Sequence, residues 1–300
     1  MITIRLQMSQ ATHDVVGPAR RSDFSTGLSN DQPSGFAPTL RSELRPHYQR
    51  IACDQKYRHF VRIPERILRC LDYFQIRSDR VEVSRVLHAY YLFIGVVDNA
   101  IDSGAIETGN LVLYYFETSP SANQSTISDV ALMTEVLKCH TSNDARAMTL
   151  CKLGELYQEV LGEQSATSIE SYIEQRKRVG RLTAELSYLL IRPLLQGARH
   201  NLGNFMQKVG AVGCLVDSVI DLSADRRLGL LSFSPTIRNY AKLTLYTFLE
   251  GLRVMTEHPR LSGLFFRAIG DNVGDRFRKK DSRTHACVVA DRRDKAADVA

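Results

Sequence analysis

The feature that most constrains this chain is a helical repeat of apolar side chains that runs through most of its length. From about Leu40 to Ala268, apolar residues recur at positions i, i+3, i+4 and i+7, in blocks of roughly 15 to 30 residues. The alternation of apolar and polar residues that is typical of half-buried strands is nearly absent. The pattern predicts an all-α fold with helices near 41–56, 60–75, 81–103, 107–117, 127–140, 143–162, 167–197, 202–224, 236–257 and 259–269.

Helix-breaking residues separate these blocks, at Pro120, Gly162, Gly197 to Gly203 and Pro235. Pro193 lies inside one block and should kink or end that helix, because proline lacks an amide donor and clashes with the preceding turn. No repeat of about 20 to 50 residues is visible, which disfavours a solenoid. A single helical domain is the simplest interpretation.

The two ends of the chain lack the helical period. Residues 1–38 are rich in Ser, Thr, Gly, Asn, Asp and Pro, which predicts a disordered or loosely attached segment. Residues 39–270 form the predicted all-α domain, and residues 271–300 a basic, disordered tail. Between Arg276 and Ala300, eight Lys or Arg stand against four Asp, so this segment carries most of the chain's net charge of +6. Since the excess is confined to a tail of ordinary solvated character, we expect no nucleic-acid partner.

Composition places the rest of the chain among ordinary globular proteins. With 44% hydrophobic and 24% charged residues in 300, it is neither a wholly disordered chain, a collagen nor a small disulfide scaffold. The longest apolar run, Ala89 to Val97, is about half as long as a bilayer-spanning helix. The N-terminus lacks the apolar stretch of a secretory signal. We therefore expect a cytoplasmic protein whose six cysteines are reduced.

Two apolar helices carry aspartates at helical spacing. In the segment 90–102, Asp98 and Asp102 stand four residues apart, so they project about 40° apart from one helix face. In the segment 209–225, Asp217, Asp221 and Asp225 form one stripe among Val, Ile and Leu. Carboxylates on one stripe repel one another unless a cation joins them.

The physical cost of such aspartates favours a cation site. An Asp on an apolar helix is most often an exposed edge residue, a cap or half of a salt bridge, but two such clusters on separate helices favour a shared ligand. Buried, unpaired carboxylates cost several kcal/mol, and hard divalent cations that take oxygen ligands remove that cost. The sequence predicts Mg²⁺ bound by Asp98, Asp102, Asp217, Asp221 and Asp225, clamping a diphosphate at the mouth of an apolar cavity.

The two acidic segments resemble motifs of the class I isoprenoid synthases. The segment Tyr91-x-Phe93-x4-Asp98-Asn99-x2-Asp102 is similar to the first aspartate-rich motif of squalene and phytoene synthases. The segment Asp217-x3-Asp221-x3-Asp225-Arg226-Arg227-x-Gly229 resembles their second motif. Asp217 stands in place of Asn, and Gly95 and Ile220 in place of Arg. The resemblance covers roughly residues 57 to 235.

This resemblance implies a single-domain isoprenoid-synthase-type bundle around a central apolar cavity. It implies an enzyme that ionises a prenyl diphosphate with Mg²⁺ and then couples or cyclises the carbocation, with chain elongation disfavoured by Asn99 and Ser218. Ionisation leaves a diphosphate anion that needs fixed cations, for which Arg226 is the first candidate and Arg176 the second. Tyr172 and Gly180 share a helix face with Arg176, where Gly180 would let substrate approach the backbone. Tyr91 is a candidate for carbocation stabilisation.

Two other hypotheses stay open. A catalytically weak relative, acting as a partner subunit or as a prenyl-lipid-binding protein, is suggested by the arginines replaced at Gly95 and Ile220. Binding of nucleic acid through the basic tail is a weaker third. The sequence leaves open the prenyl chain length, the product, the oligomeric state and contact with a membrane surface.

Overall fold

The computed structural model describes residues 44–105, 107–118, 128–197, 200–227, 229, 231–267 and 270. Within these residues the chain is all-α, as predicted. The helices are α1 (Arg45–Cys53), α2 (Arg58–Tyr73), α3 (Arg80–Asp102), α4 (Thr108–Glu117), α5 (Asp129–Cys139), α6 (Asn143–Gln164), α7 (Ile169–Ile191), α8 (His200–Arg227) and α9 (Ile237–Glu257). The predictions for residues 1–38 and 271–300 fall outside the described residues.

Polar capping side chains define where several of these helices begin. A side-chain oxygen before the first helical residue accepts hydrogen bonds from backbone N–H groups that have no partner inside the helix. At α7, the Ser168 hydroxyl accepts a hydrogen bond from the Ser171 N–H. The Ser171 hydroxyl in turn accepts one from the Ser168 N–H, which completes a capping box. The other side-chain caps are Asp79 for α3, Ser128 for α5, Ser142 for α6 and Thr236 for α9.

The block predicted to be helical over 167–197 ends early. Helix α7 stops at Ile191, and a single 3₁₀ turn, Arg192–Leu194, contains Pro193. The next two residues form β2 (Leu195–Gln196), which pairs antiparallel with β1 (Arg77–Ser78). Pro193 therefore ends the helix, which confirms one of the two predicted outcomes.

Helix α7 occupies a central position. It packs against α6 on one side and α8 on the other, and it also contacts α3 and α9. The Tyr90 hydroxyl of α3 donates a hydrogen bond of 2.8 Å to the Thr183 carbonyl of α7. A buried cluster joins α7, α8 and α9 through side chains that include Tyr172, Leu215 and Leu243. Because α3, α6 and α8 all reach α7, polar side chains near these contacts come together.

Two glycines allow α7 and α8 to cross with their backbones in contact. A Cβ at Gly180 would lie 2.3 Å from the Gly210 carbonyl oxygen, and a Cβ at Gly210 would lie 2.3 Å from that of Gly180. Any side chain at either position would force the helices apart. The predicted role of Gly180 in admitting substrate to the backbone is wrong, because α8 already occupies that space.

No helix among the described residues is long and apolar enough to cross a bilayer. The single-domain organisation and the central apolar cavity stay predictions.

Candidate functional site

A buried arginine on α7 organises the polar contacts between α6, α7 and α8. The two terminal oxygens of Glu163 accept hydrogen bonds of 3.1 and 3.0 Å from Nη1 of Arg176. Nε of Arg176 donates to the Ser218 hydroxyl at 2.8 Å, and Nη2 donates to the Cys214 carbonyl at 3.4 Å. The Arg176 and Glu163 side chains are only 20% and 17% exposed. Desolvation works against the Arg176 charge, but the adjacent Glu163 carboxylate keeps its pKa well above the ordinary value.

The two aspartates at the end of α3 lie within the electrostatic range of this arginine. Burial, together with the charges of Asp102, Glu163 and Asp217, raises the pKa of Asp98 to about 7 against the opposing charge of Arg176. Burial and the Glu163 charge also raise the pKa of Asp102. Both aspartates are nevertheless exposed to solvent.

The acidic stripe of α8 approaches the same arginine. Burial raises the pKa of Asp225 to about 6, and the charges of Glu163 and Asp102 act in the same direction against Arg176. Asp217 is half-buried and is coupled electrostatically to Asp98. Asp221 is also half-buried and has interaction partners of its own. Asp217 of α8 therefore raises the pKa of Asp98 on α3, and Asp102 of α3 raises that of Asp225 on α8, although the two helices are more than a hundred residues apart in sequence.

The donor chemistry of this site fits magnesium. In the described part of the chain, no three His, Cys, Asp or Glu side chains stand close enough to form a ready-made metal site. Mg²⁺ in phosphate-handling sites is held by one or two carboxylates and completes its coordination with water and substrate phosphates, so a closed protein cage is not required. Asp98, Asp102, Asp217 and Asp225 provide carboxylate oxygens, which are the donors that Mg²⁺ prefers.

The other predicted site residues occupy three different environments. The Tyr172 side chain is fully buried beside Ser218, and its hydroxyl has no hydrogen-bond partner of standard geometry in the described structure. Tyr91 is also buried, its ring packs edge-on against Tyr90, and its hydroxyl faces Ser187. Burial raises the pKa of Tyr172 and of Tyr91 to about 12. Arg226 is exposed near the C-terminal end of α8.

Glu163 was not predicted from the sequence, and it lies on α6 and not on either acidic helix. Nothing in its local pattern distinguishes it from the other glutamates of α6. The available signal was indirect. An arginine predicted to face a buried site needs a carboxylate partner, because an unpaired buried charge is strongly destabilising. Which of the chain's glutamates fills that role depends on how α6 packs against α7.

The replacement of an expected arginine by Gly95 has a packing explanation. A Cβ at Gly95 would lie 2.6 Å from the Phe60 ring and 3.1 Å from the Tyr57 ring. The two rings therefore occupy the space that a longer side chain at position 95 would need. An arginine there would require Phe60 and Tyr57 to move.

Comparison with known proteins does not place the chain in a family. No protein-family model, no curated protein and no solved structure matches it. The likeness to isoprenoid synthases therefore stays an interpretation of the two acidic motifs.

Proposed function

We propose that the chain is an enzyme that binds a prenyl diphosphate with Mg²⁺ and ionises it, then couples or cyclises the carbocation. The observation that carries this proposal is the coupling of α3 and α8 carboxylates around Arg176. The pKa values of Asp98, Asp102 and Asp225 are all raised, and the positive charge of Arg176 opposes each rise. Carboxylates with raised pKa values, brought together from two helices, are typical of a functional site, and their oxygens are the donors that Mg²⁺ prefers.

Each group has a distinct role in this proposal. Bound Mg²⁺ would neutralise the departing diphosphate as negative charge develops on its bridging oxygen. Asp98 and Asp102 on one side and Asp217, Asp221 and Asp225 on the other are the ligands proposed for it. Arg226 is exposed and directly follows Asp225, so it can turn toward the leaving diphosphate oxygens.

Arg176 has a positioning role and not a direct one. Its guanidinium is committed to Glu163, Ser218 and the Cys214 carbonyl, which leaves little donor capacity for substrate. It holds α6, α7 and α8 together at the site and supplies a fixed positive charge there. Tyr91 lies two helical turns before Asp98 and is engaged with Tyr90 and Ser187, so its proposed role is to line the apolar side of the site.

The test is Mg²⁺-dependent release of pyrophosphate from ten-, fifteen- and twenty-carbon prenyl diphosphates. We expect release with at least one of them, abolished by chelation and reduced by orders of magnitude in Asp98→Asn. The matched control is Asp72→Asn, which removes an exposed aspartate that pairs with Arg80 on the surface. Product analysis by mass then distinguishes coupling from cyclisation and elongation.

One observation favours a second candidate, a catalytically weak protein that binds a prenyl lipid or serves as a partner subunit. Arg176 is neutralised by Glu163 and is not available to an anion. With Gly95 and Ile220 replacing the expected arginines, the site is poorer in cations than the resemblance implies. Retained binding of a prenyl lipid without pyrophosphate release from any substrate would support this candidate.

A further inference from the structure

The solvent side of α9 carries a continuous stripe of large apolar side chains. Leu245, Phe248, Leu249 and Leu252 are 59%, 58%, 54% and 37% exposed. Their spacing of i, i+3, i+4 and i+7 places them on one helix face. The opposite face of α9 is already buried through Leu243, Thr247, Gly251 and Val254. The exposed stripe is therefore not part of the core, and a contiguous apolar patch of this kind marks an interaction surface.

The charged residues that α9 itself places beside this stripe are basic. At about 100° per residue, Arg238, Lys242 and Arg253 lie within about 80° of Leu245 around the helix, and all three are exposed. Lys242 pairs with Glu170 of α7, which leaves Arg238 and Arg253 as the principal cations of the face.

The acidic residues of α9 lie elsewhere. Glu250 and Glu257 lie more than about 100° from Leu245. Glu250 contacts Lys177, and Glu257 contacts Lys208. Residues 258–267, which follow α9, contain no acidic residue, and their Arg260 and Arg267 are exposed. The carboxylates nearest the stripe, Glu170 and Glu257, each pair with a lysine, so Arg238 and Arg253 supply its net positive charge.

We propose that this face of α9 docks onto the surface of an anionic lipid bilayer. An interfacial helix buries an apolar face at the acyl boundary while basic residues contact anionic headgroups. Leu245, Phe248, Leu249 and Leu252 supply the inserted side chains, and Arg238 and Arg253 supply the headgroup contacts. The inference concerns α9 alone and does not depend on the proposed catalytic function.

The same charge pattern argues against a second copy of the chain on this face. Two-fold pairing of α9 with itself would bring arginines of both copies to one interface, where the nearest carboxylates, Glu170 and Glu257, are already paired with lysines. Like charges at a desolvated interface are unfavourable. A bilayer rich in anionic headgroups offers the complementary charge.

The experiment is co-sedimentation of the full-length protein with vesicles of phosphatidylcholine alone and of phosphatidylcholine mixed with phosphatidylglycerol. We expect binding to the mixed vesicles that weakens at high salt, because the headgroup contacts are screened. Leu245→Gln/Phe248→Gln should lower the partition coefficient by about tenfold or more, because the inserted apolar surface is lost. Arg238→Gln and Arg253→Gln should each lower it by about fivefold on the mixed vesicles only.

The matched control is Leu111→Gln/Tyr114→Gln, which changes two exposed apolar residues of α4 and should leave binding unchanged. If Leu245→Gln/Phe248→Gln fails to fold by circular dichroism, the arginine variants, which alter only exposed groups, decide the question. Absence of wild-type binding to the mixed vesicles would overturn the proposal. So would equal binding of the α9 variants, which would attribute any attraction to another basic region. A wild-type dimer in sedimentation velocity that Leu245→Gln/Phe248→Gln dissociates would assign the face to a second copy.

Discussion

Two neighbouring residues of α7 show how a structural ion pair differs from a candidate site. Lys177 is almost fully buried, and its ammonium contacts Glu174 at 3.3 Å, Glu250 at 3.2 Å and the Tyr246 hydroxyl at 3.0 Å. These partners lie at the contact of α7 with α9, and both glutamates retain solvent access. Two carboxylates share one ammonium, and their access to water solvates the charge that Lys177 does not offset. Lys177 therefore fastens α9 to α7.

Arg176, one residue earlier, has different charged neighbours. Its partner Glu163 already neutralises it, and yet Asp98, Asp102 and Asp225 around the pair have raised pKa values. Under the proposed function, these raised pKa values reflect the binding site of a cation. The comparison is between two ion pairs on one helix, of which the Arg176 pair lies among carboxylates with raised pKa values.

The largest expected effect comes from neutralising one of the aspartates whose pKa is raised. Asp98→Asn and Asp225→Asn keep the side-chain size but remove the charge that Mg²⁺ requires, so turnover should fall by orders of magnitude. The melting temperature of the metal-free protein should hold or rise, because repulsion between carboxylates is relieved. Thermal melting with and without Mg²⁺ plus a non-hydrolysable diphosphate measures both.

The control for this prediction is Asp72→Asn, whose ligand-induced stabilisation should match that of the unmodified chain. If Asp98→Asn and Asp225→Asn also keep the full stabilisation, the two residues do not bind the cation, and their raised pKa values have another cause.

The next effect separates the two basic residues directly. Arg176→Met leaves the buried Glu163 carboxylate beside other carboxylates, so the free energy of unfolding should fall by about 3–5 kcal/mol. Lys177→Met leaves Glu174 and Glu250 with access to water, and the loss should be about 1 kcal/mol or less. Urea denaturation measures both.

A second substitution tests the cause of the first. Glu163→Gln added to Arg176→Met should recover part of the lost stability, because the stranded charge is gone. Equal losses in Arg176→Met and Lys177→Met, with no recovery, would remove the distinction between the two regions.

A smaller effect is expected in the pH dependence of metal-free stability. The pKa of Asp98 in the folded protein is about 7 and that of Asp225 about 6, both above the ordinary carboxyl value of about 4. Between about pH 4 and pH 7, the folded state therefore binds protons that the unfolded state has released, and this contribution to stability is lost as the pH rises. Asp98→Asn should flatten the slope in urea denaturation from pH 5 to 7. A slope that Asp98→Asn leaves unchanged would show that this carboxyl titrates normally.

The smallest expected effect is that of the basic tail. Removing residues 276–300 should leave both the melting temperature and pyrophosphate release unchanged, because that segment has no apolar period with which to dock on the helices. The proposed cation site near Arg176 also requires that the basic tail does not contact these carboxylates. A large loss of release would mean that tail arginines reach the carboxylates and balance them.

Much of the helical framework was predictable because its signals are local. The boundaries of α3, α5 and α9 follow from apolar periodicity and from the capping residues Asp79, Ser128 and Thr236, all of which act within one helical turn. Helix α8 extends to Arg227, three residues past the predicted end, so Asp225 and Arg226 belong to it. That end was harder to predict because polar residues at a helix terminus carry no apolar period.

The sequence by itself determined that the chain is all-α and that Asp98/Asp102 and Asp217/Asp221/Asp225 form acidic stripes, since both properties depend only on spacing along one helix. Only the tertiary structure decided that Glu163 neutralises Arg176, that Gly180 meets Gly210, and that Phe60 occupies the space beside Gly95. These contacts join residues from different helices, and they depend on which faces pack together and how closely. Periodicity specifies the face of a helix but not its partner, because many helices in one chain present faces of similar character.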